Sequence, residues 1–260
     1  MSSIGSAAAA TRTFKVWRGE RGTGEFKSFT AEISPGMVVL DAIHQIQATQ
    51  APDLACRWNC KAGKCGSCSA EVNGKPRLMC LTRMESLPDG DVTVTPMKSF
   101  PSIKDLVTDV SWNYEQNKKI TPFTPAKRGA AGVAADGTFR MQQVDVERSQ
   151  EFRKCIECFL CQDTCHVIRD HDKKEVFSGP RFFVRAASLE MHPVDTADRE
   201  PFLKHTGGIG FCNITKCCTE VCPEHIKITD NAIIPLKERV ADRYYDPVVM
   251  LWRWMFKKKG

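Results

Sequence analysis

The chain has 260 residues, with 37 Lys plus Arg against 31 Asp plus Glu for a formal charge of +6. That length allows two domains with separate cores, and so small a basic surplus fits an anionic membrane surface or nucleic acid without selecting between them. Thirteen cysteines, one residue in twenty, fall short of a disulfide scaffold. No run approaches the roughly 18 apolar residues of a membrane span, and Met1–Ala10 lacks the basic and apolar regions of a signal peptide. The expectation is an intracellular chain, soluble by itself, whose cysteines stay reduced.

In chain order, Phe14 and Val16 alternate with polar neighbours and predict a strand, and Phe26 to Ile33 a second extended segment. Val39, Ile43 and Ile46 recur at helical spacing after Ser34-Pro35-Gly36. Cys60, Cys65 and Cys68, with Cys80 eleven residues on, then match the C-x4-C-x2-C…C run that holds a 2Fe-2S cluster. Gly63, Gly66 and Ser67 let this loop take positive φ and turn N–H groups toward sulfide. Arg57, Lys61 and Lys64 set positive charge beside a net negative centre. A zinc site or a disulfide pair is the alternative, although zinc knuckles come as paired C-x2-C. Asn73-Gly74 between Cys68–Val72 and Pro76–Thr82 is a hairpin signal, and Val92 with Val94 offers a closing strand.

From about Ile103 the apolar spacing turns helical, with Ile103, Leu106, Val107 and Val110 on one face. Residues 118–140, rich in Pro, Gly and Ala from Thr121 to Thr138, predict an exposed loop. Helical segments are expected around Arg181–Met191 and Asn231–Val240, the latter interrupted by Pro235. Two cysteine runs fall among them: Cys155, Cys158, Cys161, Cys165, then Cys212, Thr215, Cys218, Cys222-Pro223. In two-cluster ferredoxins each run gives three ligands to one cluster and its fourth cysteine to the other. Cys155, Cys158, Cys161 and Cys222 then complete a 4Fe-4S site. Cys165, Cys212 and Cys218 supply three thiolates, because Thr215 fills the remaining slot, and three ligands imply a 3Fe-4S cluster. Cys217 remains open as a fourth ligand, though one residue along a helical turn from Cys218 rotates it about 100° away. Cys56 remains open as a substitute for Cys60; otherwise both are small buried hydrophobes. Gly207-Gly208-Ile209-Gly210 lacks dinucleotide spacing and reads as a loop. Asp246 to Lys259 joins an apolar, aromatic stretch to a lysine cap, which suits either a membrane interface or a helix packed on its own domain.

An N-terminal plant-type 2Fe-2S run, the Ile103-Lys-Asp-Leu-Val107 junction and two dicluster runs with Thr215 in the vacant slot together resemble the iron-sulfur subunit of succinate dehydrogenase and fumarate reductase. The resemblance covers nearly the whole chain. It implies an α+β protein: a β-grasp, plant-type ferredoxin-like domain over 1–102 and an all-α, bacterial-ferredoxin-like domain over 103–260. It further implies a subunit of succinate dehydrogenase (quinone), serving the tricarboxylic acid cycle and respiratory chain. Electrons pass from FAD on a flavoprotein partner through the 2Fe-2S, 4Fe-4S and 3Fe-4S clusters to quinone at a membrane anchor. Nucleic acid is not an expected partner, and the location implied is peripheral, on the cytoplasmic face of the cell membrane. The dicarboxylate site is expected on another chain, with no catalytic residue here. Fumarate reduction, or service to another flavoprotein dehydrogenase, is the alternative. Where relatives place Pro, Trp and His near quinone, this chain has His166, Arg169-Asp170 and Asn213. His166, Arg169 and Lys216 are therefore the expected quinone-vicinity residues, against a bland role as surface or cluster-neutralising groups.

Overall fold

The computed structural model of the chain describes residues 10–130 and 132–256. The alanine run before Ala10 and the lysine cap, Lys257–Lys259, lie outside the described residues. By its contacts the chain divides into two units, Met1–Val110 with Ile156–Thr164, and Ser111–Cys155 with Cys165–Gly260. The sequence boundary at 102/103 precedes this division, and a nine-residue piece of the Cys155–Cys165 run belongs with the first unit.

The first unit is a mixed sheet with one long helix. Strands β1 (Ala10–Glu20) and β2 (Thr23–Ile33) pair antiparallel from Ala10↔Ile33 to Glu20↔Thr23. Helix α1 (Val39–Thr49) follows, and its apolar stripe of Val39, Leu40, Ile43 and Ile46 is buried, as its 3.6-residue period requires. Asp41 accepts a hydrogen bond from the Val38 N–H at 3.2 Å and so helps cap it. Strands β3 (Ser69–Val72) and β4 (Lys75–Leu78) close on Asn73-Gly74, both at positive φ (49° and 72°), as a two-residue hairpin demands. β5 (Val92–Thr95) runs parallel to β1, pairing Phe14 with Val92 and Val16 with Val94. Short β6 (Ser102–Lys104) and β7 (Val107–Thr108) complete the order β4-β3-β5-β1-β6-β7, with β2 on β1. Phe14, Val16, Ile43, Ile46, Val92 and Val94 have no exposed surface, each worth about 1.5–3 kcal/mol relative to exposure.

The expected helix from Ile103 is not there. The segment forms β6 and β7, Ile103 is half exposed, and helix begins only at Ser111. Asp105 explains the difference. It sits at φ 48° with its carboxylate buried, accepting from Arg18 Nε (3.0 Å), Gly19 N (3.0 Å) and Ala55 N (2.8 Å). Those long-range bonds hold the backbone against the sheet and override apolar spacing that imitates a helix.

The remaining helices, in chain order, are α2 (Ser111–Lys118), α3 (Gln143–Gln150), α4 (Leu160–Asp163, in the first unit), α5 (His166–Arg169), α6 (Pro180–Glu190), α7 (Cys217–Glu220), α8 (Ile234–Tyr244) and α9 (Pro247–Phe256). In the second unit α6 starts at a proline, whose fixed φ suits a first helical turn, and buries Phe182, Phe183, Val184, Ala186 and Ala187. A π-helical turn, Ile228–Ile233, leads into α8, so Pro235 falls in the first turn of α8 and does not break it. Residues 121–130 and 132–138 are irregular and mostly exposed, but they are pinned at two points: Pro125 bridges Asp195, and buried Val133 bridges Phe139.

Candidate iron-sulfur centres

The first cysteine loop is built for metal-bound sulfur. Lys61, Gly63 and Gly66 all take positive φ (54°, 68°, 68°), curling the backbone round the thiols. Cys60 Sγ accepts hydrogen bonds from the N–H groups of Ala62 (3.4 Å) and Lys64 (3.3 Å), and Cys68 Sγ accepts from Cys80 N–H at 3.5 Å. Donors aimed at sulfur stabilise thiolate and soften the charge of a cluster. The thiols nevertheless differ. Burial works against ionising Cys65, but hydrogen bonds from Ser67 and the Cys60 region outweigh it, bringing the thiol down to about 6. Burial pushes Cys68 up to about 12, so its thiolate requires a cation beside it, as iron would provide. The donor set therefore fits an iron-sulfur group.

Two cysteines of the second array share this unit. Cys158, two residues before α4, and Cys161, within it, are both buried. Phe159, between them at φ 59°, and Glu157 at φ 55° give this loop the left-handed turns that let closely spaced thiols point one way.

The second unit gathers the rest. Cys155 lies near enough to Cys222 to oppose its ionisation, after burial, which is the larger cause. Cys165, before α5, is pushed up to about 12 by burial, with Cys217 and Cys218 adding like charge. Cys218, within α7, is raised to about 11 by burial, partly offset by the Thr229 hydroxyl at 3.4 Å, and feels Cys217 and Cys212. Cys165, Cys212, Cys217 and Cys218 thus form one thiol neighbourhood. Cys217 is partly exposed and sits 3.5 Å from the Thr215 hydroxyl, whereas Cys218 is 5% exposed. Lys237 donates to the Cys212 carbonyl at 2.6 Å, tying down the irregular segment before α7.

His166 is the first residue of α5, directly after Cys165, with its ring 6.1 Å from that of His171. Arg169 ends the same helix. Lys216 stands at φ 62° immediately before α7 and pairs with Asp230 at 2.8 Å. All three belong to the unit that holds Cys165, Cys212 and Cys218. Cys56 has a different environment from Cys60: its Sγ donates to the Arg57 carbonyl at 3.8 Å, and burial raises it to about 12. No two of the thirteen cysteines form a disulfide, and among the described residues no three His, Cys, Asp or Glu side chains converge as a single-ion site. Gly207–Gly210 runs into a short 3-10 turn, Ile209–Phe211, with Gly208 at φ 61°.

Sequence reasoning missed three groups around these thiols. The Ser67 bond to Cys65 and the Thr229 bond to Cys218 depend on local and long-range folding respectively. Ser69 sits at the start of β3, directly after Cys68, and nothing local in the sequence marks the two carbonyls that its hydroxyl meets.

Comparisons with known proteins find the same two kinds of iron-sulfur domain. The family described as a 2Fe-2S iron-sulfur cluster binding domain matches residues 13–115, and that described as a 4Fe-4S dicluster domain matches residues 151–226. The fumarate reductase iron-sulfur subunit of Escherichia coli is 31% identical over 72% of this chain and 75% of its own length. An uncharacterized iron-sulfur protein of Methanococcus maripaludis is 30% identical over 86% of this chain, which spans only 43% of that protein. Among solved structures, a chain of the Mycobacterium smegmatis Sdh1 complex in the apo form superposes with a TM-score of 0.86 at 62% identity, covering 93% of this chain and all of that one.

Proposed function

Because the chain belongs to the iron-sulfur subunit family of succinate dehydrogenase and fumarate reductase, we propose that it relays single electrons from FAD on a flavoprotein partner to quinone at a membrane-anchor partner. Bound clusters would each carry one electron, which lets a two-electron flavin and a two-electron quinone react at separate sites. The observation that carries the reading is the pair of arrays, eleven ligand-spaced cysteines with a threonine at one corner.

In this reading Cys60, Cys65, Cys68 and Cys80 hold the 2Fe-2S cluster. Cys155, Cys158, Cys161 and Cys222 hold the 4Fe-4S cluster, and Cys165, Cys212 and Cys218 hold the 3Fe-4S cluster. The backbone donors at Ala62 and Lys64, with the lysine charges at 61 and 64, stabilise added negative charge at the first centre and raise its potential. Cys56 and Cys217 are not ligands. His166, Arg169 and Lys216 lie toward the quinone or the anchor, where a cationic or hydrogen-bonding group favours reduced oxygen. The dicarboxylate is handled on the flavoprotein, and this chain contributes no catalytic residue.

The subunit is peripheral, on the cytoplasmic face of the membrane. No described helix is long and apolar enough to cross a bilayer. Helix α9 supports the location: Val248, Met250, Leu251 and Met255 are all more than half exposed, although a helix this apolar is normally covered. The physiological direction proposed is succinate oxidation. The name carried by the Escherichia coli relative favours fumarate reduction as the second reading.

Purification of the native complex followed by paired assays tests the proposal. Succinate-dependent quinone reduction exceeding quinol-dependent fumarate reduction is the expected result. A co-purifying flavoprotein that acts on neither dicarboxylate would overturn it.

A further inference from the structure

We propose that Gly66 and Ser69 are positioning residues that fix the spacing between the 2Fe-2S and 4Fe-4S centres by clamping the first cysteine loop onto the backbone of Cys158. The inference rests on the cluster assignment above and adds to it a cause for the rate of the first transfer between clusters.

Ser69 is 7% exposed, and its hydroxyl oxygen lies 2.9 Å from the Gly66 carbonyl and 2.8 Å from the Cys158 carbonyl. A serine hydroxyl has one hydrogen to donate, so it is shared between, or alternates between, two backbone acceptors eighty-nine and three residues away. Gly66 makes the approach possible. Its φ is +68°, and a Cβ there would stand 2.7 Å from Cys158 Cα and 3.0 Å from Cys158 Cβ and N. No L side chain fits such a gap without moving the backbone of one loop or the other. The segment is pinned again at its far end, where buried Asp163 accepts from Ser99 N–H at 2.9 Å and its carbonyl accepts from the Ser99 hydroxyl at 3.1 Å.

The residues in contact are themselves neighbours of ligands. Gly66 lies between Cys65 and Cys68, and Cys158 belongs to the next centre, so any shift of this contact moves donor against acceptor. One electron leaves the reduced first centre and enters the oxidised second, with no bond made or broken and no proton moved. For such a step the coupling falls off steeply with separation, and the contact of Gly66 with Cys158 sets that separation.

Gly63 provides the internal comparison. It shares the loop and the φ of +68°, but a Cβ there meets only the Leu81 side chain, at 2.6 Å, and nothing of Cys158. The test uses the native complex with Gly66→Ala, Ser69→Ala, Ser69→Thr and Gly63→Ala. Iron and acid-labile sulfide are measured first, then the microwave-power saturation of the 2Fe-2S EPR signal after full reduction, which reports the magnetic influence of the reduced 4Fe-4S centre. Expected are unchanged iron and sulfide in Ser69→Ala and Ser69→Thr, severalfold easier saturation in Gly66→Ala and Ser69→Ala, a smaller change in Gly63→Ala, and wild-type saturation in Ser69→Thr. Unchanged saturation in both Gly66→Ala and Ser69→Ala, or an equal change in Gly63→Ala, would overturn the proposal. If Gly66→Ala fails to assemble, Ser69→Ala decides, and loss of iron there would also overturn it by making the contact a folding requirement. A wild-type complex lacking acid-labile sulfide and the 2Fe-2S signal would instead refute the cluster assignment, a separate outcome.

Discussion

Replacing Arg199 with methionine should destabilise the second unit far more than any surface change. Arg199 has no exposed surface; its Nη2 donates to Asp195 at 2.7 Å and to the Pro122 carbonyl at 2.8 Å, and its Nε to the Thr121 carbonyl at 2.8 Å. Glu190 lies 3.8 Å from Nη1. Methionine keeps most of the volume and removes the charge, leaving the Asp195 carboxylate, 1% exposed, without its cation. An uncompensated buried charge costs about 3–5 kcal/mol, and at roughly 2–4 °C per kcal/mol for a unit of this size the midpoint should fall by about 10 °C. Thermal melts of the cluster-loaded chain, followed by near-UV circular dichroism, measure it. Adding Asp195→Asn should recover a good part of the loss, because the stranded charge goes with it. Arg243→Met serves as the control: it pairs with Asp198, 52% exposed, and Glu200, 22% exposed, both in reach of water, so about 1 kcal/mol is at stake, well below the Arg199 loss. The reasoning fails if Arg199→Met melts with the wild type, or if the double variant is no more stable than the single.

Three further expectations follow from particular residues. Burial, aided by the charge of Lys61, holds His44 below its ordinary pKa, and its Nε2 is buried without a hydrogen-bond partner. The unfolded chain therefore takes up this proton first, and stability should decline as pH falls through about 6.5 toward the folded pKa; denaturant titrations across that window should show a shallower decline for His44→Phe, and an identical one would exclude His44 as a cause. Thr215→Cys should supply the missing thiolate and abolish the oxidised 3Fe-4S EPR signal with a gain of one iron per chain; persistence of that signal at unchanged iron content would remove residue 215 from the vacant corner. Flotation of the full chain with anionic vesicles should weaken on Leu251→Glu with Met255→Glu, since both side chains are exposed on α9, and undiminished binding would assign that helix to a protein partner.

The parts of the fold that could be read from the sequence are those decided locally. Asn73-Gly74 forms its hairpin because two consecutive positive φ values suit few other pairs, and α1 forms because its apolar stripe has one buried face to satisfy. Ile103 to Val110 misleads for the opposite reason: the pull of Arg18, Gly19 and Ala55 on the Asp105 carboxylate spans 50 to 87 residues. The allotment of Cys158 and Cys161 to the first unit was likewise hidden, since it is made by Ser69 and Ser99. Cluster ligands are readable because chelation fixes their spacing within a loop. The groups that tune them, such as Thr229 beside Cys218, come from elsewhere in the chain and leave no local pattern.

EPR of the anaerobically purified complex, recorded oxidised and again after addition of succinate, tests the electron-relay account most directly. The account predicts a 3Fe-4S signal in the oxidised sample that disappears as a 2Fe-2S signal grows. A complex holding zinc and no acid-labile sulfide, or one silent in both states, would contradict it.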